Sequence, residues 1–164
     1  FLHSIAPFGQ SLAITRWLMG GIEAIEMSTL AWLAATLIPA FLVALLHARK
    51  WNLLAIGEDW ASARGVATER YMLIGYLLSS LLTGAVTALT GPIGFVGLIV
   101  PHALRLKLGA DHRVLIPASV FIGAAFLAIC DTISRILLAP AEVPVGVITA
   151  ILGGPIFIWM LRSR

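Results

Sequence analysis

The chain has 164 residues, 60% of them hydrophobic and 12% charged, with a mean hydropathy of +0.99. A soluble globular domain carries about 25% charged residues, so this balance excludes one and reads as a polytopic membrane protein throughout. The formal net charge is only +3, and the basic residues cluster beside apolar runs, so they report topology and not nucleic-acid binding.

The first residues form a short apolar piece broken by Pro7 and Gly9. They start at Phe1 without Met or a basic n-region, which reads as no signal peptide and as the C-terminal part of a longer chain. Residues 11–22, SLAITRWLMGGI, predict a short helix bearing Arg16 and Trp17 and ended by Gly20-Gly21. Tryptophan suits a membrane–water interface, so this helix is expected to lie outside the bilayer. Residues 28–46 are uncharged and long enough to span, with a kink expected at Pro39 and an end at His47, Arg49 and Lys50.

Residues 51–70 are the most water-compatible part, holding Glu58, Asp59, Arg64, Glu69 and Arg70 between the punctuating Gly57 and Gly65. The run EDWASAR predicts two helical turns with acids at the start, where the helix dipole favours them. It serves either as a solvated connector or as a docking platform for a soluble partner. Residues 71–90 span next, with Gly75, Ser79, Ser80, Thr83, Gly84, Ala85 and Ala88 allowing close helix approach.

Residues 71–104 carry no Asp, Glu, Lys or Arg. One helix of that length would rise about 50 Å, too long for a hydrocarbon core of about 30 Å. Gly91-Pro92 resolves the excess by breaking the helix. A short broken segment follows, with Gly91, Gly94 and Gly97 three residues apart and a second break or start expected at Pro101-His102. Irregular backbone at membrane depth is tolerated only against protein or a water-lined cavity, so the segment points to a transport pathway. A basic loop over 105–113 holds Arg105, Lys107, His112 and Arg113. Residues 114–130 span again and continue to Asp131 and Arg135; residues 136–142 make a turn. The last span, 143–161, is interrupted by Gly153-Gly154-Pro155 and followed by Arg162 and Arg164.

The expected fold is an all-α membrane protein with about five transmembrane helices, near 28–46, 71–90, 92–104, 114–135 and 144–161. Counting the broken segment as a crossing puts nine Lys and Arg residues on one side and leaves Arg16 and Arg135 on the other. If the segment only dips in and returns, the split is five against six. The first arrangement satisfies the positive-inside rule and places the basic loops in the cytoplasm.

Chemical motifs are sparse. Cys130 is single, and His3, His47, His102 and His112 are scattered without metal-ligand spacing, so neither metal nor cofactor is expected. No GxxxxGK[ST] occurs. Asp111, His112 and Arg113 are adjacent but lack a nucleophile in a strand–turn–helix context; a turn tied by Asp111, with Arg113 at the lipid headgroups, accounts for them. His102 either shapes a cytoplasmic gate or serves a helix end or a backbone carbonyl. An integral membrane enzyme is disfavoured because Asp131, near a span's end, is the sole acid within the spans.

Three stretches, GPIGFVGLIVPHALR, GADHRVLIP and PAEVPVGVITAILGGPIF, together resemble the C-terminal half of the permease subunit of bacterial ABC importers for vitamin B12, iron–siderophore complexes and haem. AIGEDWASARGV is similar to that family's cytoplasmic loop. The resemblance runs from near residue 50 to the C-terminus. It implies a ten-helix whole, of which this chain holds the end of helix five, a short external helix and helices six to ten. It implies two permease subunits, identical or different, in the bacterial inner membrane. Two ATPase subunits would sit against Gly57, Glu58, Ala61, Gly65 and Val66, and a substrate-binding protein would dock at Arg135. The same context assigns Gly91, Pro92, Gly94, Gly97, Pro101 and His102 to a closely packed helix break along the pathway. A non-transporting structural or assembly fragment stays open as an alternative.

Overall fold

The computed structural model describes residues 8–22, 24–137 and 143–162, and among them the only regular elements are seven helices. These are α1 (Phe8–Met19), α2 (Met27–Leu54), α3 (Glu58–Ala63), α4 (Thr68–Thr90), α5 (Val96–Leu108), α6 (His112–Leu137) and α7 (Val145–Arg162). Three of them, α2, α4 and α6, are long and apolar enough to cross a membrane. Their lengths, about 42, 35 and 39 Å at the α-helical rise, exceed a hydrocarbon core of about 30 Å. The apolar stretch of α7, Val145–Met160, is shorter. No residue of α4 is buried, and Trp32, Leu46 and Phe121 are each more than 70% exposed. Water would penalise such faces by about 25 cal/mol per Å² of apolar surface, so they require lipid or another protein against them.

Several helix ends differ from the expected ones. Helix α2 does not stop at His47, Arg49 and Lys50 but runs on to Leu54. Long straight side chains are good helix formers and lengthen a helix past its apolar window at little cost. Pro101 neither breaks nor starts α5; it is the sixth residue of a continuous helix. Its missing N–H orphans only the carbonyl of Gly97, four residues back. Likewise α7 runs through Gly153-Gly154-Pro155 without interruption. In lipid a continuous helix satisfies the most backbone groups, which outweighs the local cost of one proline. The expected loop 105–113 shrinks to residues 109–111, with Gly109 at φ +83 ending α5. The expected turn over 136–142 is helical at 136 and 137, and its remainder lies outside the described residues. The break at Gly91-Pro92 is as expected: α4 ends at Thr90, and α5 begins at Val96.

The chain forms two compact units. The first takes the described residues within Phe1–Ala24, Thr87–Ile99 and Ala124–Arg164. Its core is Cys130, Val145 and Ile148, flanked by Ile22, Ile93, Phe126, Leu127 and Val143. Backbone meets backbone here. Gly21 N–H donates to Thr90 O at 2.8 Å and Gly146 N–H to Gly20 O at 3.0 Å. A Cβ on Gly20 would strike Pro92 O, on Gly91 it would strike Trp17 O, and on Gly146 it would strike Met19 O. Gly20 and Gly91 also adopt φ of +75 and +68, which a side chain disfavours. Three glycines distant in sequence thereby knot the end of α1, the helix break and the start of α7.

The second unit takes Ile25–Val86 and Val100–Gly123. Its buried residues include Ala40, Ala48, Ala61, Val66, Val100 and Leu115. Trp51 Nε1 donates to Tyr71 O at 3.3 Å, joining the end of α2 to the start of α4. The His47 ring lies 5.5 Å from the Tyr71 ring, and Lys50 Nζ lies 5.8 Å from its centroid.

Candidate functional site

Within the first unit a pocket of about 310 Å³ opens beside Arg135. Its wall includes Arg16, Trp17, Thr90, Asp131 and Ser134. The glycine knot sets α1 in place, and Trp17 Nε1 adds a 3.3 Å bond to Ala88 O. Arg135 Nε donates to Asp131 Oδ2 at 2.8 Å, one helical turn away, and Nη2 donates to Ile22 O at 3.1 Å. The guanidinium is half exposed. An exposed i,i+4 pair of this kind contributes only about 0.3–0.5 kcal/mol, so the pairing holds the arginine's direction more than it holds the fold. Ser134 Oγ donates to Val143 O at 2.8 Å, joining two residues of the pocket wall.

The glycine-spaced break lies in the same unit up to Ile99, with different duties for each glycine. Gly91 is pressed against α1, whereas a Cβ on Gly94 or Gly97 would meet nothing within 4 Å. Among the described residues, Gly91 is the one of the three that makes a close approach. Phe95, a non-glycine residue at φ +68, packs on Gly153 of α7, where a Cβ would strike its side chain. Pro92 contributes its carbonyl to the knot. His102 is half-buried inside α5 and makes no hydrogen bond among the described residues, so it does not cap a helix end or bind a carbonyl there.

In the second unit the polar connector folds as expected into α3, six residues with Glu58 and Asp59 in the first turn. Gly57 O accepts the Ala61 N–H at 3.1 Å. Gly65 N–H donates to Ser62 O at 2.9 Å and Val66 N–H to Ala61 O at 3.1 Å, with Gly65 at φ +77. These are the two bonds of a Schellman cap, and the buried Ala61 and Val66 make its accompanying apolar contact. Three of the five expected partner-facing residues, Ala61, Gly65 and Val66, are thus the cap that shapes α3. Ala61 and Val66 are buried, whereas the exposed residues of the segment include Glu58, Asp59, Trp60, Arg64 and Gly65. Arg64 sits 5.8 Å over the Trp60 ring, and with Leu53 and Ile56 the two line a groove of about 140 Å³.

Sequence reasoning missed a clamp beside it. Asn52 Nδ2 donates to Asp111 Oδ1 at 2.7 Å, and Asn52 Oδ1 accepts both His112 N–H at 2.8 Å and His112 Nδ1 at 2.7 Å. Asp111 also accepts the Arg113 backbone N–H at 3.0 Å and the Arg113 side chain at 2.9 Å. The turn is tied by Asp111 as expected. The Arg113 side chain first, then Asn52, holds the Asp111 carboxyl well below the usual carboxylate range. A lone Asn at a helix end carries no sequence signal for a partner 59 residues away. Among the described residues no three His, Cys, Asp or Glu side chains converge as metal ligands.

Among the described residues the chain is all-helical, with a break between α4 and α5 and a short capped polar helix between α2 and α4. The FecCD transport family matches residues 1–163, and the chain belongs to that family. It is 45% identical over 149 residues to the hemin transport system permease protein HmuU of Yersinia pestis, covering 90% of this chain and 45% of HmuU. It is 42% identical over 149 residues to the vitamin B12 import system permease protein BtuC of Klebsiella pneumoniae, again covering 90% and 45% of the two chains. In structure it matches a metal-chelate type ABC transporter in an inward-facing conformation, with a TM-score of 0.87 and 31% identity over 99% of this chain and 53% of the other. The chain spans about half the length of the curated relatives it matches.

Proposed function

We propose that this chain is the C-terminal half of a pore-forming permease subunit that passes an iron–siderophore, haem or cobalamin-type chelate from a binding protein to the cytoplasm. Two such subunits line the pore in the bacterial inner membrane, and two ATPase subunits drive it. The observation that carries the reading is α3, a capped polar helix held between the membrane-length α2 and α4. The cap satisfies the helix's own backbone, and what it leaves exposed between two membrane-length helices is a polar surface suited to a soluble partner. Glu58, Asp59, Trp60 and Arg64 form the partner-facing surface, with Ala61, Gly65 and Val66 fixing its shape. The nine-to-two charge split supports a cytoplasmic location for this segment and for 105–113, and an outer location for Arg16 and Arg135. Arg135 is the docking residue for the binding protein. No enzymatic step belongs to this chain in the scheme.

The test is Gly65→Pro in the full-length permease assembled with its ATPase subunits. Proline cannot adopt φ +77 and removes the N–H that bonds Ser62 O. The expected result is normal membrane insertion with ATP hydrolysis no longer coupled to transport. Trp60→Ala should weaken co-purification of the ATPase while leaving the cap intact. Unchanged transport in Gly65→Pro would remove α3 from the coupling path.

A further inference from the structure

Asn52 lies in the last turn of α2, just ahead of α3, and bonds to the turn that starts α6. Its amide orientation is fixed by its partners. The Asp111 carboxylate only accepts, so Nδ2 faces Oδ1 at 2.7 Å; the His112 N–H only donates, so Asn52 Oδ1 faces it at 2.8 Å. The same oxygen lies 2.7 Å from His112 Nδ1, which must therefore carry the proton. Three part-buried bonds to two adjacent residues resist rotation as well as translation. Asp111 already caps α6 through the Arg113 N–H at 3.0 Å, and residues 108–110 are exposed. What Asn52 adds is a tie between segments 59 positions apart. On its other side Asn52 leads to α3. Helical bonding runs on past Leu54, with Ala55 N–H donating to Trp51 O at 2.9 Å and Ile56 N–H to Leu53 O at 3.2 Å. Leu53 and Ile56 then share a groove with Trp60 and Arg64.

We infer that Asn52 is a positioning residue for the transport cycle: it makes α3, the end of α2 and the 109–111 turn move as one piece, so that a displacement of α3 reaches the end of α5. This rests on the reading of α3 as the surface on which the ATPase subunits rest. Only Gly109 and Ala110 lie between the end of α5 and Asp111, so little slack can absorb the displacement. Breaking the joint leaves the cap of α3 intact, because that cap is made by Ala61, Ser62, Gly65 and Val66. Binding of the partner and transmission of its movement are thereby separable.

The experiment uses the full-length permease with its ATPase subunits in nanodiscs and ATP as the probe. Lys107→Cys, with Cys130→Ala, carries an environment-sensitive fluorophore near the end of α5, and its emission should change when ATP is added. Asn52→Asp sets two carboxylates against each other and breaks the joint. In that variant ATP hydrolysis and ATPase co-purification should persist, while the emission change per folded complex should fall about five- to tenfold, within the usual range of coupling between sites. Adding Asp111→Asn to Asn52→Asp restores a donor facing an acceptor, with the Arg113 N–H still served, and should bring back most of the response. If Asn52→Asp responds like wild type while Gly65→Pro does not, the inference is overturned and the reading of α3 stands. If neither variant alters the response, or the wild type shows none, both fall. If the response of Asn52→Asp drops only in proportion to the folded fraction, Asn52 serves stability alone and the inference is overturned. Should Asn52→Asp fail to assemble, Asn52→Ala is judged by the same criteria, and a full response there rejects the proposal.

Discussion

Replacing Gly91 by Ala is the sharpest test of how the broken segment is built. A Cβ at φ +68 enters the left-handed region at a cost of about 1–2 kcal/mol. That atom would collide with Trp17 O, so α1 must withdraw from the break. Withdrawal sacrifices the bond from Gly21 N–H to Thr90 O and the adjoining bond from Gly146 N–H to Gly20 O. At about 1 kcal/mol net for each, the total loss is about 3–4 kcal/mol. The other two glycines of the same spacing supply the controls. Gly94→Ala adds a methyl in open space outside the left-handed region and should change stability by less than about 0.5 kcal/mol. Gly97→Ala also enters open space, within α5, and should stabilise by up to about 1 kcal/mol through helix propensity. Equilibrium unfolding of the full-length permease in mixed micelles, followed by far-UV circular dichroism across an SDS titration, measures all three. Equal stability of the Gly91 and Gly94 variants would refute the knot.

Further outcomes follow from the clamp and the topology. Asn52→Leu leaves Asp111 without its amide donor and the His112 N–H without an acceptor, and should cost about 1–3 kcal/mol in the same titration; a cycle with Asp111→Ala should show strong coupling between the two sites. Because the folded Asp111 titrates below its ordinary value near 3.8, its contribution is complete above that pH and is lost as pH falls below it. Acid unfolding of Asp111→Asn should therefore depend less steeply on pH below about 4 than that of the wild type. A cysteine at the exposed Lys107, with the buried Cys130 changed to Ala, should resist an impermeant thiol reagent added outside intact cells. Ready labelling would reverse the orientation drawn from the charge split.

Composition and the charge-free run over 71–104 were enough to establish an all-helical membrane chain and a break at Gly91-Pro92, because helix length against bilayer thickness is a local sum. The short helix α3 was equally legible, since acids at its start and Gly65 at its end act on their own neighbours. Proline positions misled at Pro101 and Pro155: each imposes a cost of one hydrogen bond, and the helix in lipid bears it. The charged end of α2 misled for a related reason, because charge marks where apolar surface stops and not where backbone hydrogen bonding stops. Ala61 and Val66 of the expected coupling segment have a role the sequence did not show, since they turn inward at the cap that ends α3. What the tertiary structure alone decided was which distant residues meet. Gly20 lies against Pro92 and Gly91 against Trp17, Asn52 bridges to Asp111, and Arg16 shares a wall with Arg135. Residues in each of these pairs are separated by tens of positions, so no period or motif links them; only the packing of helices brings their backbones and charges within reach.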